Sequence, residues 1–146
     1  MRIHIIGGSG SGKTYISNKL RNDYHFSQID LDKLEWVNIK GKTVKQELSV
    51  KKKKLKELLK KDNVTIEGVY YNWCQDSFKK CNYIFYLKVP LIKQEYRIIK
   101  RSIKRKLGIE KSFFKETFKS VFDLLQWNIK YNTKLKSEII ETLAKY

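Results

Sequence analysis

The sequence predicts an α/β fold built on a parallel sheet. Three observations predict it. Short apolar runs at 2–6, 64–68 and 83–89 read as buried strands, longer stretches with apolar residues at three- and four-residue spacing read as helices between them, and a glycine-rich turn follows the first strand. A length of 146 residues suits one domain, so 1–146 is expected to share one core.

The turn is Gly7-Gly8-Ser9-Gly10-Ser11-Gly12-Lys13-Thr14, directly after Ile3-His4-Ile5-Ile6. It fits G-x-x-x-x-G-K-[ST], the phosphate-binding P-loop or Walker A motif. Glycines let successive backbone N–H groups face one anion, and the helix that follows adds its positive end. Lys13 is expected to reach the β- and γ-phosphates of ATP, and the Thr14 hydroxyl to ligate Mg²⁺. A Gly/Ser turn can match the pattern by chance, but here Ile16 and Leu20 fall on one face of a helix over 13–23, so strand and helix flank the loop as the motif requires.

The rest follows in order. His4 and His25 have no partner at ligand spacing and are read as structural. Gln28-Ile29-Asp30-Leu31-Asp32 reads as a second strand whose alternation places Asp30 and Asp32 on one side, near the P-loop mouth; the alternative is a turn or N-cap pair ahead of Lys33-Leu34-Glu35-Trp36. Residues 38–43 read as a surface loop. A helix over 44–61 carries a stripe of Val44, Leu48, Leu55, Leu58 and Leu59, leaving Lys51-Lys52-Lys53-Lys54 and Lys60-Lys61 largely outside it. Val64-Thr65-Ile66-Glu67-Gly68 is a third strand that ends where a Walker B carboxylate belongs, so Glu67 is a candidate to hold Mg²⁺ through water.

Val69-Tyr70-Tyr71-Asn72-Trp73 is an aromatic loop, either a pocket wall or a core cover. A short helix over 75–80 and a fourth strand over 83–89, stopped by Pro90, come next. In the helix over 91–107, Arg97, Arg101 and Arg105 recur every four residues and share a face. Three arginines in register stand out in a lysine-rich chain, because the guanidinium fork suits phosphate oxygens. Gly108 is expected to end that helix. Two more are expected, over 112–127 with Ser112 as N-cap and over 131–146 with a stripe of Leu135, Ile139, Ile140 and Leu143.

The net charge of +17 admits nucleic acid as a partner, and equally a set of solvated lysine faces, since only Arg2, Arg21, Arg97, Arg101 and Arg105 are arginine. Cys74 and Cys81 lie seven apart, which is neither a zinc nor a disulfide pattern. No charge-free apolar run approaches the roughly 20 residues that span a bilayer, so no membrane partner and a cytoplasmic location are expected.

The P-loop, Asp30-Leu31-Asp32-Lys33-Leu34-Glu35-Trp36, Glu67-Gly68-Val69-Tyr70, Leu87-Lys88-Val89-Pro90 and the Arg97/Arg101/Arg105 helix come in an order that resembles the adenylate-kinase-like small P-loop kinases. Among them the chain is most similar to the DNA topology modulation, or FlaR-related, proteins. The resemblance implies a P-loop NTPase three-layer sandwich with a parallel sheet of order 2-3-1-4, an acceptor-binding region at 31–61, a helical lid at 91–111 and C-terminal helices. It implies an ATP- and Mg²⁺-dependent phosphotransferase moving the γ-phosphoryl group to a nucleotide or other small acceptor. Lys13, Asp32, Arg97, Arg101 and Arg105 are then the catalytic candidates, Asp30, Asp32, Trp36 and Tyr70 the acceptor contacts, and Thr14 and Glu67 the metal residues. The chain departs from the family in Glu67-Gly68-Val69-Tyr70 where Asp-Gly-Asn-Tyr is expected, in Lys88 where an acid is expected, and in lacking a fifth strand before Tyr146. Those departures, with the charge, frame the competing expectation: a non-catalytic or weakly hydrolytic nucleotide-binding protein that binds nucleic acid.

Overall fold

The computed structural model describes residues 1–111 and 116–146. Four parallel strands form the sheet: β1 (Arg2–Ile6), β2 (Ser27–Asp30), β5 (Val64–Gly68) and β6 (Tyr83–Tyr86), in the order β2-β5-β1-β6. Counting only these four, the order is the expected 2-3-1-4. Parallel strands need crossovers, and helices supply them: α1 (Lys13–Tyr24), α3 (Leu48–Leu58) and α4 (Gln75–Lys80).

Alternation along β1 sorts the two faces. Ile3 and Ile5 pack with Phe26, Ile16 and Leu20 under α1, whereas Ile6 joins Ile66, Leu55, Leu59, Phe78, Tyr131 and Ile139 on the other side. Helices on both faces of one sheet make a three-layer sandwich. The tips of β1, β2 and β5 meet at one end, where Asp30 lies opposite Glu67 and Gly68 opposite Ile6. That end is where the site forms.

Several local expectations are corrected. The second strand stops at Asp30, and Asp32 opens the short helix α2 (Asp32–Glu35). Asp30 Oδ1 accepts from the Asp32 backbone N–H at 3.0 Å, so the turn pair forms instead of continued alternation. The loop expected at 38–43 is a hairpin of β3 (Trp36–Ile39) and β4 (Lys42–Lys45). Ile39 pairs with Lys42 across Lys40 and Gly41, whose φ angles of 50° and 79° are those of a two-residue type I′ turn. Val44 is used there, opposite Val37, so α3 starts only at Leu48.

After Pro90 comes α5 (Leu91–Lys106). The next helix is α6 (Phe118–Thr133), opened by a capping box of Thr117 with Ser120. The Ser112 cap expected from the sequence lies outside the described residues. Tyr131 belongs to α6, and the last helix is the shorter α7 (Lys136–Leu143). The expected 131–146 helix is interrupted at Lys134-Leu135, with Tyr131 buried near the end of α6 and Ile139 buried on α7.

Candidate functional site

The loop between β1 and α1 is the centre of the site. Lys13 Nζ folds back and donates to the carbonyl oxygens of Gly7 at 2.9 Å and Gly8 at 2.8 Å, spanning the loop that would hold phosphates. Burial pulls its pKa down to about 8, while Glu67 and Asp32 pull it upward. Ser11 Oγ is buried inside the loop with no hydrogen-bond partner among the described residues. A buried hydroxyl without a partner is a donor awaiting an acceptor. At Gly10 the φ is +74°, and a β-carbon there would stand 2.4 Å from the Gln94 carbonyl oxygen of α5. Glycine is therefore required twice over, for conformation and for the close approach of α5.

Thr14, exposed at the start of α1, donates its hydroxyl to Glu67 Oε2 at 2.7 Å. Gln28 Nε2 holds the other carboxylate oxygen. One turn along α1, the buried Ser17 and Thr65 hydroxyls meet at 2.6 Å, so two polar rungs lock α1 to β5 and fix Thr14 in register. Burial raises the pKa of Glu67, and burial followed by the neighbouring Asp32 charge raises that of Asp30.

The predicted acceptor residues come together. Tyr70 OH donates to Asp32 Oδ1 at 2.8 Å, and the Trp36 side chain hydrogen-bonds the Tyr70 hydroxyl. Burial first, then the Asp32 charge, keeps the Tyr70 phenol protonated far into the alkaline range, so it remains a donor to Asp32. Asp32 is close enough to Lys13 and Arg101 to perturb both electrostatically. The carboxylate therefore shares one basin with the P-loop cations.

The three arginines separate. Arg97 Nη1 donates to the Gly10 carbonyl at 3.1 Å, and Arg101 Nη2 to Ser9 Oγ at 3.4 Å. Arg105 turns instead to Glu116 and, at 3.5 Å, to Glu110. A helix turn of α5 thus lies across the loop with two guanidinium groups on it.

Sequence reasoning missed what holds that helix down. Gln94, fully buried, donates from Nε2 to the Val89 carbonyl at 2.7 Å and to Asn132 Oδ1 at 2.9 Å; its Oε1 accepts from Asn128 and Asn132, each at 3.2 Å. Extending the arginine register back from Arg101 by seven residues reaches Gln94, so the signal was present. Gln28 was also missed, although it stands two residues before Asp30 on the same side of β2. Lys51, read as part of a solvated face, is buried against the buried Glu35, which also takes Lys45 Nζ at 3.0 Å, and lies over the Trp73 ring at 4.7 Å.

The loop's donors, with Lys13 and Ser11 Oγ, fit a polyphosphate. Thr14, Glu67, Asp30 and Asp32 offer only oxygen, the donor set that suits Mg²⁺. Among the described residues no three acidic, histidine or cysteine side chains converge on one metal position.

No family model and no curated protein sequence matches the chain. Among solved structures it is similar to the shikimate kinase from Bacteroides thetaiotaomicron, at 17% identity and a TM-score of 0.58 over 94% of this chain and 80% of that one. It is also similar to the shikimate kinase from Aquifex aeolicus vf5, at 17% identity and a TM-score of 0.44 over 92% of this chain and 83% of that one. The first likeness shows the fold: a parallel sheet of four strands with flanking helices, the P-loop fold found in a small kinase.

Proposed function

We propose that the chain is an ATP-dependent phosphotransferase of the small P-loop kinase type, working in the cytoplasm on a small hydroxyl-bearing acceptor. The resemblance in motif order to the FlaR-related proteins supports this reading. The observation that carries the reading is Asp32: a carboxylate held by Tyr70 and Trp36 in the same electrostatic basin as Lys13 and Arg101. A fixed carboxylate beside the loop cations supports this reading because it offers an acceptor hydroxyl a proton acceptor, which nucleotide binding alone does not require.

Lys13 exchanges its carbonyl partners for the β- and γ-phosphate oxygens, and Ser11 Oγ donates to the same group. Thr14, and Glu67 through water, would hold Mg²⁺, which when bound would neutralise phosphate charge. Arg97 and Arg101 offset negative charge on the transferring phosphoryl group, a role worth on the order of 10³-fold or more in such enzymes. Asp32 orients the acceptor hydroxyl and accepts its proton as the new O–P bond forms and the bond to the ADP oxygen breaks. Catalysis on this account is positioning and charge neutralisation.

The test is a transfer screen with ATP against nucleoside monophosphates, nucleosides and 5′-hydroxyl oligonucleotides, on wild type and Arg101→Lys. Lysine keeps the charge and loses the fork, so kcat should fall about tenfold or more while ATP affinity changes far less. Equal rates remove Arg101 from the chemistry. No transfer to any acceptor, with duplex DNA binding that persists in salt, favours the nucleic-acid-binding alternative.

A further inference from the structure

Helix α5 is amphipathic in the reverse of the usual sense. Gln94, Arg97, Arg101 and Arg105 point inward, to the P-loop and its surroundings. The opposite face is apolar and open to solvent: Ile92 is 81% exposed, Tyr96 63%, Ile99 45%, Ile103 53% and Leu107 68%. Their spacing of four, three, four and four residues makes one straight stripe, about 23 Å long at 1.5 Å per residue. At its C-terminal end, Lys106 Nζ lies 3.0 Å from the ring centroid of Phe118 on α6, itself 84% exposed, which extends the patch onto a second helix. A surface helix ordinarily turns such a stripe to the core, and an exposed apolar run of this size marks a contact surface.

The flanks say what kind of contact. Lys93, Lys100 and Lys104 are exposed along one side of the stripe, and Lys106 lies along the other, which also carries the half-buried Glu95. A second copy laid antiparallel on it would set the lysine flank of one α5 against that of the other, in a chain already at +17. Neither of two cavities of about 560 and 580 Å³ is lined by α5. A stripe of apolar side chains edged mainly by lysines matches the boundary of an anionic bilayer, where the stripe enters the acyl region and the lysine stems extend to the headgroups.

We propose that the outward face of α5 docks on an anionic phospholipid surface, with the P-loop body seated above it. No spanning segment is needed for this, and no helix among the described residues is long and apolar enough to span. The expectation of no membrane partner rested on spanning alone. The inference stands apart from the catalytic reading, since nothing on this face touches the phosphate loop.

Flotation with vesicles of phosphatidylglycerol and phosphatidylcholine, against vesicles of phosphatidylcholine alone, tests it. Wild type should float with the anionic vesicles and stay behind with the zwitterionic ones. Ile99→Ser combined with Ile103→Ser should lower partitioning about tenfold or more, since each change removes several buried CH₂ equivalents. Should that variant melt abnormally, Lys93→Gln with Lys100→Gln and Lys104→Gln must produce a comparable loss. The pair Lys52→Gln and Lys53→Gln on α3 controls for general charge and should change partitioning less than about twofold. Failure of wild type to float overturns the proposal. So does undiminished flotation of the Ile99/Ile103 variant, or a concentration-dependent dimer in sedimentation that the same variant abolishes.

Discussion

Thr14 donates its hydroxyl to Glu67 Oε2 at 2.7 Å, tying the first turn of α1 to the end of β5. Because Ser17 and Thr65 hold the same two elements one turn deeper, this contact is not needed for the fold. Thr14→Val should cost only about 1 kcal/mol of stability, the usual net worth of one hydrogen bond. On the proposed function, transfer at limiting Mg²⁺ should fall about tenfold or more, because the variant loses the proposed metal ligand. A magnesium titration of the rate checks this, and an unchanged curve moves the metal elsewhere.

Gly10 and Gly41 separate strain from contact. Both have positive φ, +74° and +79°, but a β-carbon at Gly41 meets nothing within 4 Å, whereas one at Gly10 meets the Gln94 backbone at 2.4 Å. Gly41→Ala therefore reports strain alone. Gly10→Ala adds overpacking against α5 and should be the worse by about 1–3 kcal/mol in urea unfolding. Equal losses would mean that α5 does not rest on the loop.

Glu35 is 2% exposed and depends on Lys51, since its other partner, Lys45, sits in solvent. Lys51→Met leaves the carboxylate buried with one exposed partner, at a cost of about 3–5 kcal/mol. At about 2–4 °C per kcal/mol, the melting temperature should drop by roughly 10 °C. Adding Glu35→Gln should restore part of the loss. No recovery in the double variant would show that the cost comes from packing instead of charge.

Lys13 gives the site a pH dependence. Its folded pKa of about 8 lies below the unfolded 10.5, so between those values the unfolded chain binds more protons and the Lys13 contribution makes stability rise with pH. ATP affinity runs the other way. Above about pH 8 the free protein has lost the ammonium charge, and binding a polyanion must restore it. Calorimetry in buffers of different ionisation enthalpy should show proton uptake on ATP binding at about pH 9 and little at about pH 7. Uptake that is equal at both, or still present in Lys13→Ala, assigns the proton to another group.

The central strands and the P-loop were legible because both are local signals: apolar runs between breakers, and a motif whose glycines and lysine sit at fixed offsets. Asp32, Trp36 and Tyr70 were legible as a group through the order of motifs. The hairpin was missed because Lys40-Gly41 carries a weaker turn signal than Asn-Gly, and Val44 also suited the helical stripe that follows. Lys51 was misread because its burial depends on Glu35, 16 residues away, and on Trp73, neither of which a helical wheel contains. Gln94 could be reached from the arginine register, but its partners Asn128 and Asn132 went unread, since a buried amide cluster is recognisable only once α5 and α6 are side by side.

The central claim is that the Gly7 to Thr14 loop binds the phosphates of ATP through Lys13. Titration calorimetry of MgATP at about pH 7 into wild type and Lys13→Ala tests it most directly, with melting curves confirming that both are folded. Loss of the ammonium should weaken binding at least about tenfold, the scale of one charge-assisted contact. Equal affinity in the two folded proteins would contradict the account.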